Sequence, residues 1–224
     1  MSTSNCRRGA YAIVVATIFV GSPSTAHAQC DLQQSVELLT PSPTEAVGFG
    51  RSVAIDGDFL VVGAQNDPPA GAAYVYRFLG TGWTHQAKLT VPGLPDGARF
   101  GYSVDIDGNV ILVGARNDDG AAPGSGAAYI FLRDGSQWIV EDKLVGLDPR
   151  MYDHFGAAVA LDGDRALVGT TGDTGSADVY RRDGTNWVHE AALLPPFSIG
   201  ETYGNAVALD GGFAVVGDHG NAFA

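Results

Sequence analysis

Positive charge is scarce in this sequence. Only 13 Lys and Arg stand against 25 Asp and Glu in 224 residues, a net charge of −12. A phosphate backbone is gripped by clustered Lys and Arg, so nucleic acid is set aside as a partner. Cysteine is almost missing: two residues exclude a disulfide-dense scaffold and a multi-cysteine zinc site. Charged residues make up 17% of the chain, against roughly 25% in ordinary globular chains. Long apolar runs are missing too. The stretch Ala10–Val20 (AYAIVVATIFV) falls well short of the about 20 residues a membrane helix needs. What is plentiful is glycine, at 31 residues, and a 45% hydrophobic fraction, enough to build a core and to exclude wholesale disorder.

The first 28 residues read as a secretory leader. Arg7 and Arg8 form its positive end, Ala10–Val20 its apolar middle, and Ala26-His27-Ala28 the small-x-small cleavage pattern. Cleavage is expected between Ala28 and Gln29. It removes two arginines, no acid and Cys6, which leaves Cys30 as the only mature cysteine and no intramolecular disulfide. His27-Ala28-Gln29 does not fit a lipidation site, so no lipid anchor and no stable membrane insertion are expected after cleavage. Cys30 reads as a bland residue of a frayed terminus.

Everything after the leader is repetitive. Phe49-Gly50, Phe100-Gly101, Phe155-Gly156 and Tyr203-Gly204 open four units. Each aromatic is followed by an Asp-Gly pair at Asp56, Asp107, Asp162 and Asp210, then by a glycine closing a Val-rich run at Gly63, Gly114, Gly169 and Gly217. A Gly-x-Ala follows at Gly71, Gly126, Gly175 and Gly220, then Trp83, Trp138 and Trp187, then Leu89, Leu144 and Leu193. All three tryptophans occupy one repeat position.

Each unit reads as four strands. In the first they are Phe49–Ile55, Phe59–Ala64, Ala72–Phe78 and Trp83–Leu89, with Asp56-Gly57 turning the first hairpin. The second strands (FLVVGA, VILVGA, RALVGT, FAVVGD) are nearly continuous in apolar residues, so both of their faces are covered. The fourth alternates, with Thr84, Gln86 and Lys88, as an outer edge does. Small residues gather in the first strand (Gly50, Ser52, Ala54), where packing is tightest. Four-stranded meanders covered on both faces and crowded at one edge describe an all-β, antiparallel β-propeller; a β-solenoid usually has shorter repeats.

The pattern FG-x-SVAIDGD-x-LVVGA followed by GAAYVY resembles the FG-GAP repeat of integrin α-chain propellers and of secreted bacterial relatives. The resemblance covers nearly all of residues 33–224. It is closest in the first two units, with Gly63-Ala64-Gln65 and Gly114-Ala115-Arg116, and drifts to Gly169-Thr170-Thr171 and Gly217-Asp218-His219 in the later ones. It implies propellers, most often seven-bladed, used for extracellular recognition.

Residues 29–48 form an N-terminal segment, in which Ser35–Leu39 matches an isolated fourth strand because Leu38 has the register of Leu89 and Leu144. Residues 49–224 hold the units, the last of them incomplete: the sequence stops at Ala224, in the opening of a third strand. Two arrangements fit, a segment of a longer propeller or a compact four-bladed ring closed by residues 35–39. An unfinished ring would expose apolar blade faces and self-associate.

The hairpins (IDGD, IDGN, LDGD, LDGG) hold too few carboxylates for the six to eight oxygens of a calcium site, a departure from calcium-binding relatives. No metal and no cofactor is expected. The loops between second and third strands are better ligand candidates: Asn66, Asp67, Asn117, Asp118, Asp119 and Asp173 lie there. The plainer reading is that these side chains turn and cap the loops, since a residue repeated in every unit usually serves the repeat. His85 and His189 share one repeat position and read as outer-strand surface residues. His154 precedes Phe155, and His219 lies near the end. The tryptophans read as blade packing rather than a sugar platform. No nucleophile-base motif stands out, so no catalysis is expected. The resemblance therefore implies a secreted, periplasmic or cell-surface recognition and adhesion module for a protein or glycan. The alternatives are a structural segment of a longer surface protein or a secreted hydrolase or lyase domain.

Overall fold

The computed structural model describes residues 14–16, 36–38, 40, 47–172, 175–195 and 203–218. Two short strands, β1 (Val14–Ala16) and β2 (Val36–Leu38), pair antiparallel. Three four-stranded meanders follow. Blade one is β3 (Phe49–Asp56), β4 (Phe59–Ala64), β5 (Ala72–Phe78) and β6 (Trp83–Leu89). Blade two is β7 (Phe100–Asp107), β8 (Val110–Ala115), β9 (Ala127–Asp134) and β10 (Gln137–Leu144). Blade three is β11 (Ala158–Asp162), β12 (Arg165–Thr170), β13 (Ser176–Asp183) and β14 (Asn186–Leu193). The fourth unit contributes β15 (Ala206–Asp210) and β16 (Phe213–Gly217) among the described residues. No helix occurs among them, and the all-β propeller architecture is as the sequence reads.

Three of the four buried clusters lie between successive units. Val61, Val75 and Leu89 of blade one close on Phe100, Val104 and Ile106 of blade two. Leu112, Ile130 and Leu144 of blade two close on Phe155, Leu161 and Val168 of blade three. Leu167 and Val179 of blade three receive Val207, Leu209 and Val216 of the fourth unit. The second strand faces two neighbours at once: Val61 turns toward blade two, while Leu60 and Val62 turn toward Phe49 and Leu38. That is why its apolar run is unbroken. The tryptophans also reach backward. Trp138 meets the Phe59 ring edge-on at 5.7 Å, and the Trp187 indole donates to Glu141 at 3.0 Å.

The repeated glycines lock these faces together. Gly114, at the end of β8, lies against the carbonyl of Gly156, the glycine after the leading aromatic of blade three. A methyl group on Gly114 would collide with that carbonyl and with the Ser103 hydroxyl. Gly63 meets Gly101 in the same way, and Gly169 meets Gly204. Ser103 Oγ donates to the Gly156 carbonyl at 2.8 Å, and Ser52 Oγ to the Gly101 carbonyl at 3.3 Å. Backbone amides of Phe100 and Phe155 donate to Ala70 and Ser125 of the preceding blade, each at 2.8 Å.

The hairpins differ from the sequence reading by one residue. Asp56 still pairs with Phe59, so the two-residue turn is Gly57-Asp58, with Gly57 at φ +51°. A positive-φ glycine at the first turn position suits a hairpin. The aspartate ends the strand, and its carboxylate is free to reach sideways. Asp56 accepts the Gly108 amide at 2.7 Å, Asp107 the Gly163 amide at 2.6 Å, and Asp162 the Gly211 amide at 2.7 Å. Each hairpin is thus tied to the next by a carboxylate-amide bond.

Among the described residues the strand at Val36–Leu38 pairs with no strand of the fourth unit. It pairs with Val14–Ala16, within the run read as a leader, while Leu38 packs on Phe49 and Tyr74 as Leu89 packs on Phe100. The fourth unit has no described third strand for it to join. Among the described residues the two end faces are open. Val53 and Ile55 are 53% and 58% exposed, while their counterparts Val104 and Ile106 are 7% and 5%. Phe213 and Val215 are exposed at the other end.

Replacing Gly114 by Ala is expected to cost about 2–3 kcal/mol by overpacking. Gly82→Ala, where a methyl group meets nothing within 4 Å, is expected to stay within about 0.5 kcal/mol of wild type. Urea denaturation of the two variants side by side checks the difference.

Candidate functional site

A meander sorts its connections onto two sides. The hairpins and the turns between third and fourth strands leave on one side. The loops between second and third strands leave on the other, together with the links between blades. That second side carries the loop candidates.

The structure places them unequally. Asn66 and Asp119 are exposed and Asn117 is half-buried, but Asp67 and Asp118 are 1% and 3% exposed. Asp173 lies outside the described residues, as do Ala28, Gln29, Cys30 and His219. The Tyr74 hydroxyl and the Lys88 ammonium both donate to the Asp67 carboxylate, the latter at 3.1 Å. Its main-chain carbonyl accepts the Gly71 amide at 2.6 Å. Blade two repeats this. The Tyr129 hydroxyl donates to Asp118, Lys143 Nζ stands 3.1 Å from it, and the Gly120 amide donates to it at 3.1 Å. In both blades the ammonium also sits over the tyrosine ring, at 5.7 Å and 5.3 Å from its centre. A buried carboxylate needs such partners; here they come from the third and fourth strands of its own blade. Asp67 and Asp118 therefore hold their loops down. Asp119 accepts the Gly124 amide at 3.1 Å.

Blade three abandons the arrangement at three aligned positions. Asp178 stands in the register of Tyr74 and Tyr129, Ala192 in that of Lys88 and Lys143, and Thr170 in that of Ala64 and Ala115. All three line a cavity of about 280 Å³ that opens on the loop side, between blade three and the link arriving from blade two. Phe155, Asp148, Asp153 and Ser176 complete much of its wall. The Asp178 side chain is 4% exposed. His189 approaches its carboxylate at 2.8 Å, and the Ser176 hydroxyl donates to it at 3.5 Å. Burial pushes the Asp178 carboxyl above its ordinary range, against the pull of His189. The Thr170 hydroxyl is buried without a hydrogen-bond partner among the described residues.

His85 and His189 share one register, opposite Tyr76 and Tyr180, but not one environment. His85 is exposed and lies against the Tyr74 and Tyr76 rings. His189 is half-buried and bonded to Asp178. His154, at φ +59°, has its Nδ1 3.1 Å from the Arg116 carbonyl, and burial lowers its pKa. The cavity was missed by reading the positions that repeat. Its signal lay in the columns that change, Tyr, Tyr, Asp and Lys, Lys, Ala. Among the described residues no group of three or more His, Cys, Asp and Glu is placed to hold a metal ion. No helix among them is long and apolar enough to cross a membrane.

The FG-GAP repeat family matches this sequence three times, over residues 35–76, 83–131 and 138–182. No curated protein matches it. Among solved structures, a Lactobacillus plantarum protein aligns over 69% of this chain and 47% of its own, at 16% identity and a TM-score of 0.49. Saccharomyces cerevisiae Sqt1 aligns over 67% of this chain and 36% of its own, at 10% identity and a TM-score of 0.46. The chain thus spans less than half the length of either structure.

Burial raises the Tyr76 phenol from 10.0 to about 12. Tyr129 is raised by burial and by its bond to Asp118, and Tyr180 by burial and the Asp178 charge. Unfolded tyrosine ionises near pH 10, so these neutral phenols stabilise the fold fully below that value. The stabilisation is lost as pH rises from about 10 through the folded values. Urea midpoints measured from pH 8 to 12 are expected to fall only above about pH 10, and less steeply for Tyr76→Phe.

Proposed function

The chain belongs to the FG-GAP repeat family, and from that premise we propose that it is a secreted or surface-displayed recognition module. It holds a protein or glycan ligand on the loop side of its blades, without catalysis. The observation that carries this reading is the blade-three cavity. It breaks the repeat on the loop side, it is lined by a buried carboxylate and a hydroxyl without a partner among the described residues, and it sits on a rigid sheet scaffold, where loops commonly bind. In blades one and two the matching volume is closed by the chain's own tyrosine and lysine. Asn117 and Asp119, on the loop of blade two, and Asn66, on that of blade one, are polar groups on the same side that would extend the contact.

The labelled chain is expected to bind a subset of features on glycan and peptide arrays in a saturable way. At least one of two variants, Asn117→Ala with Asp119→Ala, or Thr170→Val, should weaken that binding tenfold or more. Retention by no feature, or retention that neither variant changes, would discard the reading.

The open end faces favour a second reading, a structural segment in which blade stacks on blade. The face bearing Val53 and Ile55 is the counterpart of the one blade two presents to blade one, and the face bearing Val215 is the counterpart of the one that carries Leu167 in blade three. Head-to-tail contact between two copies would cover both. Light scattering is then expected to give a mass that rises with concentration, and Ile55→Asp to lower it toward one chain. A constant single-chain mass for the wild type would exclude such stacking.

A further inference from the structure

We propose that the blade-three cavity is a binding site for a primary ammonium group, such as a lysine side chain presented by a ligand. The inference rests on the loop-side recognition reading and names the chemistry of that same site.

The argument comes from comparing three blades of one chain. In blades one and two, an ammonium already occupies this corner. Lys88 and Lys143 reach inward from the fourth strand, each 3.1 Å from a buried carboxylate and each over a tyrosine ring. The fold therefore accommodates an ammonium between second, third and fourth strands twice, with charge pairing and a cation-π contact. In blade three the lysine is gone. Ala192 ends where its stem would begin, and Asp178 replaces the tyrosine with a shorter, acidic side chain. The space is not refilled: both residues line the cavity.

Blade three brings acceptors of its own, Asp178 and Thr170, and they are in part unused. Thr170 is 8% exposed and its hydroxyl has no partner among the described residues. An orphaned buried hydroxyl is costly, so a ligand donor there recovers what folding gives up. Asp178 is buried with one neighbouring ring nitrogen and one long bond from Ser176. An ammonium offers three donors and no acceptor, which suits a wall of carboxylate and hydroxyl oxygens. Asp148 and Asp153 stand at the same cavity, and Arg150, its one arginine, is paired with Asp148 at 3.4 Å. A neutral sugar would use the same hydroxyl acceptors but would not depend on the carboxylate charge.

The test titrates the isotope-labelled full chain with n-butylammonium and, separately, with n-butanol, its neutral counterpart, following backbone amide shifts. Saturable shifts at Thr170, Ser176, Asp178 and Ala192 are expected with butylammonium only. Asp178→Asn keeps the side-chain shape and a hydrogen bond to His189, and is expected to weaken the interaction at least tenfold. Ala192→Lys restores the built-in ammonium of the other blades and is expected to abolish it while preserving the spectrum of blades one and two. Equal responses to the two probes, or undiminished binding by Ala192→Lys, would overturn the assignment. Failure here with array binding intact removes only the ammonium chemistry. Shifts here with empty arrays remove the recognition reading and leave the pocket's preference standing.

Discussion

The contact on which the structure depends is made between two backbones. The glycine that ends the second strand of one blade lies against the glycine that follows the leading aromatic of the next. Neither position has room for a side chain, and the second glycine also needs positive φ, +83° at Gly101 and +88° at Gly156. This close approach sets the spacing between blades. It carries Phe100 and Phe155 into full burial, with Phe100 edge-on to Tyr129 and Phe131 and Phe155 edge-on to Tyr180. The apolar cores between blades form around that spacing. They add most of the burial energy, since sinking a residue such as Ile106 rather than leaving it exposed is worth roughly 1.5–3 kcal/mol.

A second connection runs along the opposite side. Asp56, Asp107 and Asp162 each accept an amide from the hairpin of the following unit. Blades two and three gain two more amide-carboxylate bonds, from the Leu161 amide to Asp105 at 2.7 Å and from the Trp187 amide to Asp142 at 2.9 Å. The glycine contact near one end of the first strand and the carboxylate bond near the other hold neighbouring blades at two points, which fixes their relative angle. Side chains on the loop side carry little of this burden. Blade three could therefore exchange its tyrosine and lysine for Asp178 and Ala192 and still dock on blade two.

Much of this was legible in the sequence. The strands of blade one fall where alternation and turn residues put them, because a period of two and a buried strand's unbroken apolar run are local signals. The role of Leu38 was legible from its spacing to Phe49, and the packing role of the tryptophans from their register. Three things were not. The sideways reach of Asp56, Asp107 and Asp162 depends on a one-residue difference in turn register, which Asp-Gly alone does not decide. The burial of Asp67 and Asp118 depends on Tyr74, Lys88, Tyr129 and Lys143, which are distant in sequence and meet only in the folded blade. The cavity depends on three substitutions on three strands, each unremarkable alone.

The hairpin carboxylate-amide bonds all run in one sense, donated by the next unit's glycine amide and accepted by the preceding unit's aspartate. Each unit therefore carries both halves of a junction, one at each flank. Duplication of a whole unit in a gene would insert a part that already fits on both sides, and deletion of a whole unit would bring two matching halves together. A change of any smaller length would spoil the junction at its edge. Such a chain can vary in number of units more readily than in the spacing of the residues that make its junctions.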